Sequence, residues 1–465
     1  MRTDEGLSKN QQIEIEIEGT NNLGYGISHD ANGKIIFANN GVKGDRLLVQ
    51  IIKVASSYYV AKTLRVLSPS PFRLETPACP VHASCGGCVY QHVLYSYELS
   101  AKQERIRNAF RKAGLPDVTV EEVLSTNQTC HYRNKAQYPV TMQNGKLQIG
   151  FYAAKTHRVV PSFSCSLQPD LFERIARSVC EFGDQMGWTA YDESTCTGEL
   201  RHLYLRMGMK TGQIMVCLVV NGKGLKGENE LFGRLKESFD GIRSLWINQN
   251  TDSTNVILGN KYRLLAGEKT IEDILCGKTI HLSPESFYQV NHDGAERLYQ
   301  LAGQIAGLSK EDVLLDLYCG VGTIGLSLSD RVQRVIGIDI VPGAIENAKQ
   351  NAKDNHIQNV SFYCGDAVSV SHLIQDIEKS NREVIQPTVI VLDPPRKGVS
   401  RDVIDFIEEK GIPKVVYVSC ECETMARDVV LFMERGYRIS SPVYGFDMFP
   451  RTGHVETVVL MSRSI

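Results

Sequence analysis

From Val313 to Ser419 the chain repeats one pattern, a short apolar run followed by a helical stretch. The runs are Val313 to Leu317, Val335 to Asp339, Val360 to Tyr363, Thr388 to Leu392 and Val415 to Ser419. Rich in Val, Ile and Leu and bounded by helices, they read as parallel strands covered on both faces. The expectation is a doubly wound α/β sheet, whose ligands collect outside the carboxyl ends of the strands. Those ends carry the unusual residues. The last run stops at the thiol of Cys420, and Asp316-Leu-Tyr318-Cys-Gly320-Val-Gly322-Thr-Ile-Gly325 closes the first. Asp393-Pro-Pro-Arg-Lys-Gly398 closes the fourth, and Phe449-Pro-Arg-Thr-Gly-His-Val-Glu456 lies downstream. The C-terminal third therefore reads as one site assembled from successive strand ends. Two final segments, Tyr437 to Tyr444 and Val455 to Met461, have no helix between them and are expected to pair antiparallel at one side.

The front of the chain differs. Ile13-Glu-Ile-Glu-Ile-Glu18 alternates strictly, and short strands around 25–28, 34–38, 46–54 and 58–66 follow, separated by glycines. This spacing predicts a small OB-type β-barrel over residues 1–67. A central domain over 68–285 and the α/β domain over 286–465 complete the expected architecture. Residues 1–163 hold 19 Lys and Arg against 13 Asp and Glu, leaving 32 against 40 for the rest. A basic front, with Lys43, Lys53, Lys62 and Arg65 on the barrel, suits a polyanion such as a nucleic-acid backbone. The longest apolar run, Ile214 to Val220, is too short to span a bilayer. The polar start Met1-Arg-Thr-Asp-Glu-Gly has no apolar leader segment, so a cytoplasmic protein without membrane contact is expected.

Cys79-Pro-Val-His-Ala-Ser-Cys85-Gly-Gly-Cys88 places three of the thirteen cysteines in ten residues. Its paired glycines let the thiolates converge, as in a cluster or metal loop. Cys165 is the expected fourth ligand and Cys130 the competitor; spacing alone leaves iron–sulfur and zinc equally open. Between the ligands, the segment from Tyr97 to Ala113 has helical periodicity. Leu99, Ile106, Ala109 and Phe110 share one face, and Lys102, Arg105, Arg107, Arg111 and Lys112 form a second face expected to be solvated. A helix from about Pro169 to Met186 and a βαβ-like piece from His202 to Asn248 follow.

Gly320, Gly322 and Gly325 give a strand-to-helix turn of the dinucleotide kind, with Asp339 about 20 residues on as the acid for ribose hydroxyls. These two features suit NAD and S-adenosylmethionine equally. Asp366, after the third strand, adds a carboxylate where an adenine could lie, and points towards the methyl donor.

Together with Ser286-Phe-Tyr-Gln289-Val-Asn, these motifs resemble the RNA 5-methyluridine methyltransferases, specifically the bacterial 23S rRNA uracil-C5 branch. The resemblance covers essentially the whole chain. It implies a TRAM domain in front, a [4Fe-4S] cluster on Cys79, Cys85, Cys88 and Cys165, and a class I S-adenosylmethionine-dependent methyltransferase domain behind. It places Gln289, Tyr318, Asp339 and Asp393 around the cofactor, Cys420 as nucleophile and Glu456 as base. The implied partner is 23S rRNA, with the protein expected to be a monomer without an obligate protein partner. One departure is the pair Glu421-Cys422, where the family often has Asn-Pro. The residue types also follow from the chemistry. Uracil C5 is a poor nucleophile until a thiolate adds to C6, and a carboxylate must then remove the C5 proton. Two competing readings are an RNA-binding scaffold, against which Cys420 and Glu456 argue, and a radical methylthiotransferase. The latter needs Cys-x3-Cys-x2-Cys, whereas here the spacing is x5 then x2.

Overall fold

A computed structural model describes residues 6–463. The polar stretch Met1–Glu5, read above as lacking a leader, and the last two residues lie outside the described range. The front six strands are β1 (Gln12–Glu16), β2 (Gly19–Thr20), β3 (Tyr25–His29), β4 (Ile35–Asn39), β5 (Arg46–Val54) and β6 (Tyr58–Ser68). Their order is β1-β5-β6-β4-β3-β2. Only Ile17 and Glu18 separate β1 from β2, so one bent strand pairs with β5 at one edge of the sheet and β3 at the other. Period-2 alternation sends Ile15, Ile17, Leu47, Val49 and Ile51 into the shared core. Buried Asp45 ties this unit to the next segment: it accepts from Ser70 N at 2.8 Å and pairs with Arg73 at 2.5 Å.

After α1 (Tyr95–Lys112), the strands β7 (Lys135–Gln143), β8 (Lys146–Tyr152) and β9 (Val159–Pro161) lead to α2 (Asp170–Met186). Next come β10 (Leu200–Met207), β11 (Ile214–Val220), α3 (Glu228–Ser238), β12 (Ile242–Gln249) and β13 (Lys261–Gly267). The sheet order is β13-β12-β11-β10-β7-β8-β9, and β11-α3-β12 is its one parallel unit. Helices α2 and α3 cover one face of this sheet. From its other face Tyr204, Met215 and Cys217 enter a core shared with the C-terminal sheet. That double cover explains why the run Ile214 to Val220 is apolar throughout.

The hairpin β14 (Ile271–Leu275) and β15 (Lys278–Leu282) and the helix α4 (His292–Ile305) lead into the last sheet. Its members are β16 (Val313–Leu317), α5 (Thr323–Leu328), β17 (Arg334–Asp339), α6 (Pro342–Asp354), β18 (Val360–Cys364) and α7 (Val370–Asn381). They continue with β19 (Val389–Leu392), α8 (Arg401–Glu409), β20 (Lys414–Ser419), α9 (Cys422–Glu434), β21 (Arg438–Ile439), β22 (Tyr444–Phe446) and β23 (Glu456–Ser462). The order β18-β17-β16-β19-β20-β23-β21 is a doubly wound sheet, parallel from β18 to β20. The antiparallel side pair is present, with β23 inserted between β20 and β21. Strand order reverses between β16 and β19, which opens a crevice at their carboxyl ends.

Helix α1 precedes the central sheet in sequence but packs on the C-terminal one. Its Ile106, Ala109 and Phe110 join the core under α9 and β22, beside Val120 and Val123. The expectation of a solvated basic face on α1 fails at two residues. Lys102 is 1% exposed and Arg105 is largely covered, both drawn in by carboxylates of the C-terminal domain. Among the described residues no helix is long and apolar enough to cross a membrane.

Candidate active site

A cavity of about 1320 Å³ opens at the crevice, and Gln289, Tyr318, Asp339, Asp366, Asp393, Cys420 and Glu456 all line it. The glycine turn shapes one end. Tyr318 takes a left-handed conformation (φ 67°) while its N–H and that of Cys319 both donate to Ile338 O. A non-glycine residue held there signals a turn fixed from outside. Gly322 (φ 82°) has no alternative, since a Cβ would stand 2.7 Å from the Phe362 ring. Asp339 accepts from Gly320 N and Val341 N, both at 2.9 Å, so the acid at the end of β17 also braces the glycine turn. Asp366 accepts from Val368 N at 3.0 Å and caps the turn before α7. Gln289 sits on a loop held by buried Arg206, which donates to Ser283 O at 2.7 Å and Ser286 O at 2.6 Å.

The chemistry-bearing groups collect at the other end. Ser419 faces Thr457 in the β20/β23 ladder, so Cys420 and Glu456 are the next pair along the register. Thr457 Oγ1 donates to Ser419 O at 3.0 Å and locks that register. Burial pushes the Cys420 thiol up to about 11, helped by the charges of Glu456 and Asp393, while the Arg396 guanidinium pulls it down. Glu456, 3% exposed, is pushed up to about 8 by burial and then by Asp393, again opposed by Arg396. Burial alone lifts Asp393 to about 7. Two carboxyls and a thiol thus compete for negative charge around one cation, an arrangement that can take up and release protons near neutral pH.

The second thiol of the departing motif turns away. Cys422 is fully buried at the start of α9, outside the cavity, with its Sγ 3.2 Å from Glu423 Oε2. Glu421 and Glu423, flanking it, are both gripped by Arg105 of α1, which also donates to Gly453 O at 3.0 Å. One turn earlier Lys102 bonds Glu98 and Asp447, each at 2.7 Å, and Phe449 O at 3.3 Å. Sequence reasoning missed both residues. The signal was there, because Glu98 and Lys102 lie on the same stripe as Ile106, Ala109 and Phe110.

Cys79, Cys85, Cys88 and Cys165 line a separate cavity of about 250 Å³, and exposed Cys130 does not. Gly86 is pressed so close to the Ala154 backbone that a Cβ would stand 2.8 Å from it. Among the described residues, His292, Asp293 and Glu296 are the one group of three ligand atoms within 4.8 Å of each other. No three of the four thiols come that near. Four thiols on one cavity are a donor set that suits an iron–sulfur cluster or a zinc ion. His292 itself is spent on Asp293 at 3.0 Å and Ile274 O at 2.7 Å. Gly87 and Arg133 line both cavities, so the thiol loop forms part of the main cavity's wall.

A doubly wound sheet with a glycine turn, a strand-end acid and a thiol and carboxyl in one cavity has the frame of a methyltransferase fold. A family model described as tRNA (Uracil-5-)-methyltransferase matches residues 94–464. The chain belongs to that family, the RNA 5-methyluridine methyltransferases. It is 38% identical over 462 residues to a protein of Clostridium tetani named an uncharacterized RNA methyltransferase, covering 99% of this chain and 98% of that one. A protein of the same description from Clostridium acetobutylicum is 37% identical over 460 residues, covering 98% of each chain. Among solved structures, the Pyrococcus abyssi tRNA (uracil-54, C5)-methyltransferase in complex with S-adenosyl-L-homocysteine is similar in fold. Its TM-score is 0.77 at 24% identity, over 97% of this chain and 100% of that one.

Proposed function

We propose that this chain methylates C5 of a uridine in 23S rRNA, with S-adenosylmethionine as methyl donor and Cys420 as covalent nucleophile. The observation that carries the reading is the meeting of Cys420 and Glu456 across β20 and β23, in the cavity that also holds the glycine turn. The cofactor half is supported by S-adenosyl-L-homocysteine in the Pyrococcus abyssi relative and by Tyr318, Asp339 and Asp366 along one wall. The bound sulfonium would supply an electrophilic methyl group.

The protein's residues do the rest. Cys420, as thiolate, adds to C6 of the uracil, and the displaced electron pair makes C5 nucleophilic. Burial keeps Cys420 a thiol at rest, and Arg396 is the group that pulls it towards the thiolate the addition needs. After C5 has taken the methyl group, Glu456 in its carboxylate form removes the C5 proton. The electrons of that C–H bond restore the C5–C6 double bond and expel the Cys420 sulfur as thiolate. A carboxyl raised to about 8 is a stronger base than a solvated one once ionised.

The front module, read as a TRAM-like barrel over residues 1–67, exposes Lys43, Lys53, Lys62 and Arg65 to an RNA backbone. The central domain over 68–285 would hold a [4Fe-4S] cluster on Cys79, Cys85, Cys88 and Cys165, a reading supported by their lining one cavity together. The domain over 286–465 would carry the methyl-transfer site.

The test is trapping. With S-adenosylmethionine and RNA carrying 5-fluorouridine, the C5 substituent cannot leave as a proton, and the protein should stay covalently attached on a denaturing gel. Cys420→Ala should abolish the adduct and Cys422→Ala should retain it; the reverse pattern, or trapping on tRNA in preference to 23S rRNA, would overturn the proposal.

A further inference from the structure

The barrel turn Asn21 to Gly24, between β2 and β3, reaches the cavity that holds Cys420 and Glu456: Asn22 and Leu23 are part of its lining. This turn is rigid. Asn21 Oδ1 accepts from Leu23 N and Tyr25 N, both at 3.0 Å, and Gly24 N donates to Asn21 O at 3.0 Å. It is also clamped from two sides. A Cβ on Gly24 (φ 75°) would stand 2.7 Å from the Val89 side chain, just past the Cys85–Cys88 loop. A Cβ on Gly453, in the loop leading to Glu456, would stand 1.8 Å from Asn22 O. Backbone so tightly fitted fixes the turn relative to the catalytic pair. Yet Leu23 keeps 56% of its surface exposed.

One exposed leucine is ordinary by itself; what sets Leu23 apart is that its clamped turn holds it in the lining of the cavity that Cys420 and Glu456 share. The other exposed apolar residues of this cavity are Ile340, Val341 and Val368, which flank Asp339 and Asp366, and Phe287, two residues before Gln289; by these neighbours they belong with the cofactor. Leu23 does not. Arg133 lines the same space and offers charge to a phosphate. A target base can reach Cys420 only after leaving its stack, which leaves a gap between its neighbours. Apolar side chains fill such gaps in other nucleic-acid complexes.

We infer that Leu23 is a wedge that enters the RNA stack at the position vacated by the target uridine, so that the barrel takes part in opening the substrate. The inference rests on the uracil-C5 reading above. It is tested on the full-length protein with two 5-fluorouridine probes, a folded 23S rRNA transcript and a short unstructured oligonucleotide, by the rate of covalent adduct formation. Opening a stack matters for the first probe and hardly for the second. Leu23→Ala should lower the transcript-to-oligonucleotide rate ratio about tenfold, a part of the cost of unstacking one base step. Leu23→Met should restore most of it. Equal slowing on both probes would make Leu23 a mere wall of the cavity, and no change on either would remove it from the RNA path; both outcomes overturn the wedge. If the wild-type protein traps neither probe, the uracil-C5 reading fails, and the wedge with it.

Discussion

Lys102→Met isolates what α1 does for the site. In the folded protein the Lys102 ammonium is 1% exposed and bridges Glu98 and Asp447, both fully buried. Asp447 also accepts from Tyr95 at 2.8 Å and Glu98 from Arg451 N at 2.6 Å, so neither carboxyl can swing out to water. Methionine fills the volume of the lysine stem but leaves two buried carboxyls without their shared cation. Breaking a buried ionic group in this way costs about 3–5 kcal/mol. For a cooperative unit of this size that lowers the melting temperature by about 10 °C. The loss should depend on pH, with a definite sign. Burial, then the charge of Asp447, already raise Glu98 to about 7, and Lys102 is the main opposing influence. A carboxyl whose folded pKa lies above its unfolded one contributes stability at low pH and loses it as pH rises through the folded value. Removing Lys102 pushes Glu98 higher still, so the deficit should grow from pH 5 to pH 8. Differential scanning calorimetry of both proteins at the two pH values measures it. A deficit below about 1 kcal/mol, the range of an exposed ion pair, or one that is the same at both pH values, would refute the buried-triad account.

Two further outcomes bear on the site. Glu456→Gln should still form the bond to RNA but should accumulate a methylated covalent adduct with ordinary uridine, visible on a denaturing gel. Wild-type turnover should correspondingly rise as pH passes about 8 and Glu456 ionises; fast turnover by the variant would remove Glu456 from the base role. Anaerobically purified protein should be brown, with iron and acid-labile sulfide each near about four per chain. One zinc and no sulfide would refute the cluster.

The C-terminal sheet was legible because β16 to β20 are apolar, β-branched and separated by full helices, so tertiary context had nothing to override. Strict alternation from Ile13 made the first strand equally readable, although its division into β1 and β2 has no mark in the sequence. The hairpin β14–β15 was not read. Its turn is Cys276-Gly277, both residues at positive φ (49° and 75°), and Cys in place of Asn or Asp removes the usual hairpin signature. Its strand also carries Asp273, which is fully buried because Tyr288 donates to it at 3.0 Å and Lys210 N at 2.8 Å. A buried acid reads as surface until its donors are known, and those donors lie far away in sequence. The same reason hid Lys102 and Arg105.

That shared cause has a functional side. The glycine turn, the acids at the strand ends and Cys420 are local features, each set by a few consecutive residues, and local features can be read. What fixes the loop after Cys420 and the loop before Glu456 relative to each other is nonlocal. Arg105 holds Glu421 and Glu423 just after the thiol and Gly453 just before Glu456, while Lys102 holds Asp447 and Phe449 earlier in the same loop. Both cations stand on one helix, whose N-terminus follows the Cys79–Cys88 segment by a few residues. The backbone N–H groups of Val89 and Tyr90 donate to Arg451 O at 2.9 and 3.1 Å. The thiol loop, α1 and the loop before Glu456 therefore form one hydrogen-bonded block. Both the loop after Cys420 and the loop before Glu456 are thereby tied to the thiol loop, through buried ion pairs at Lys102 and through partly exposed ones at Arg105.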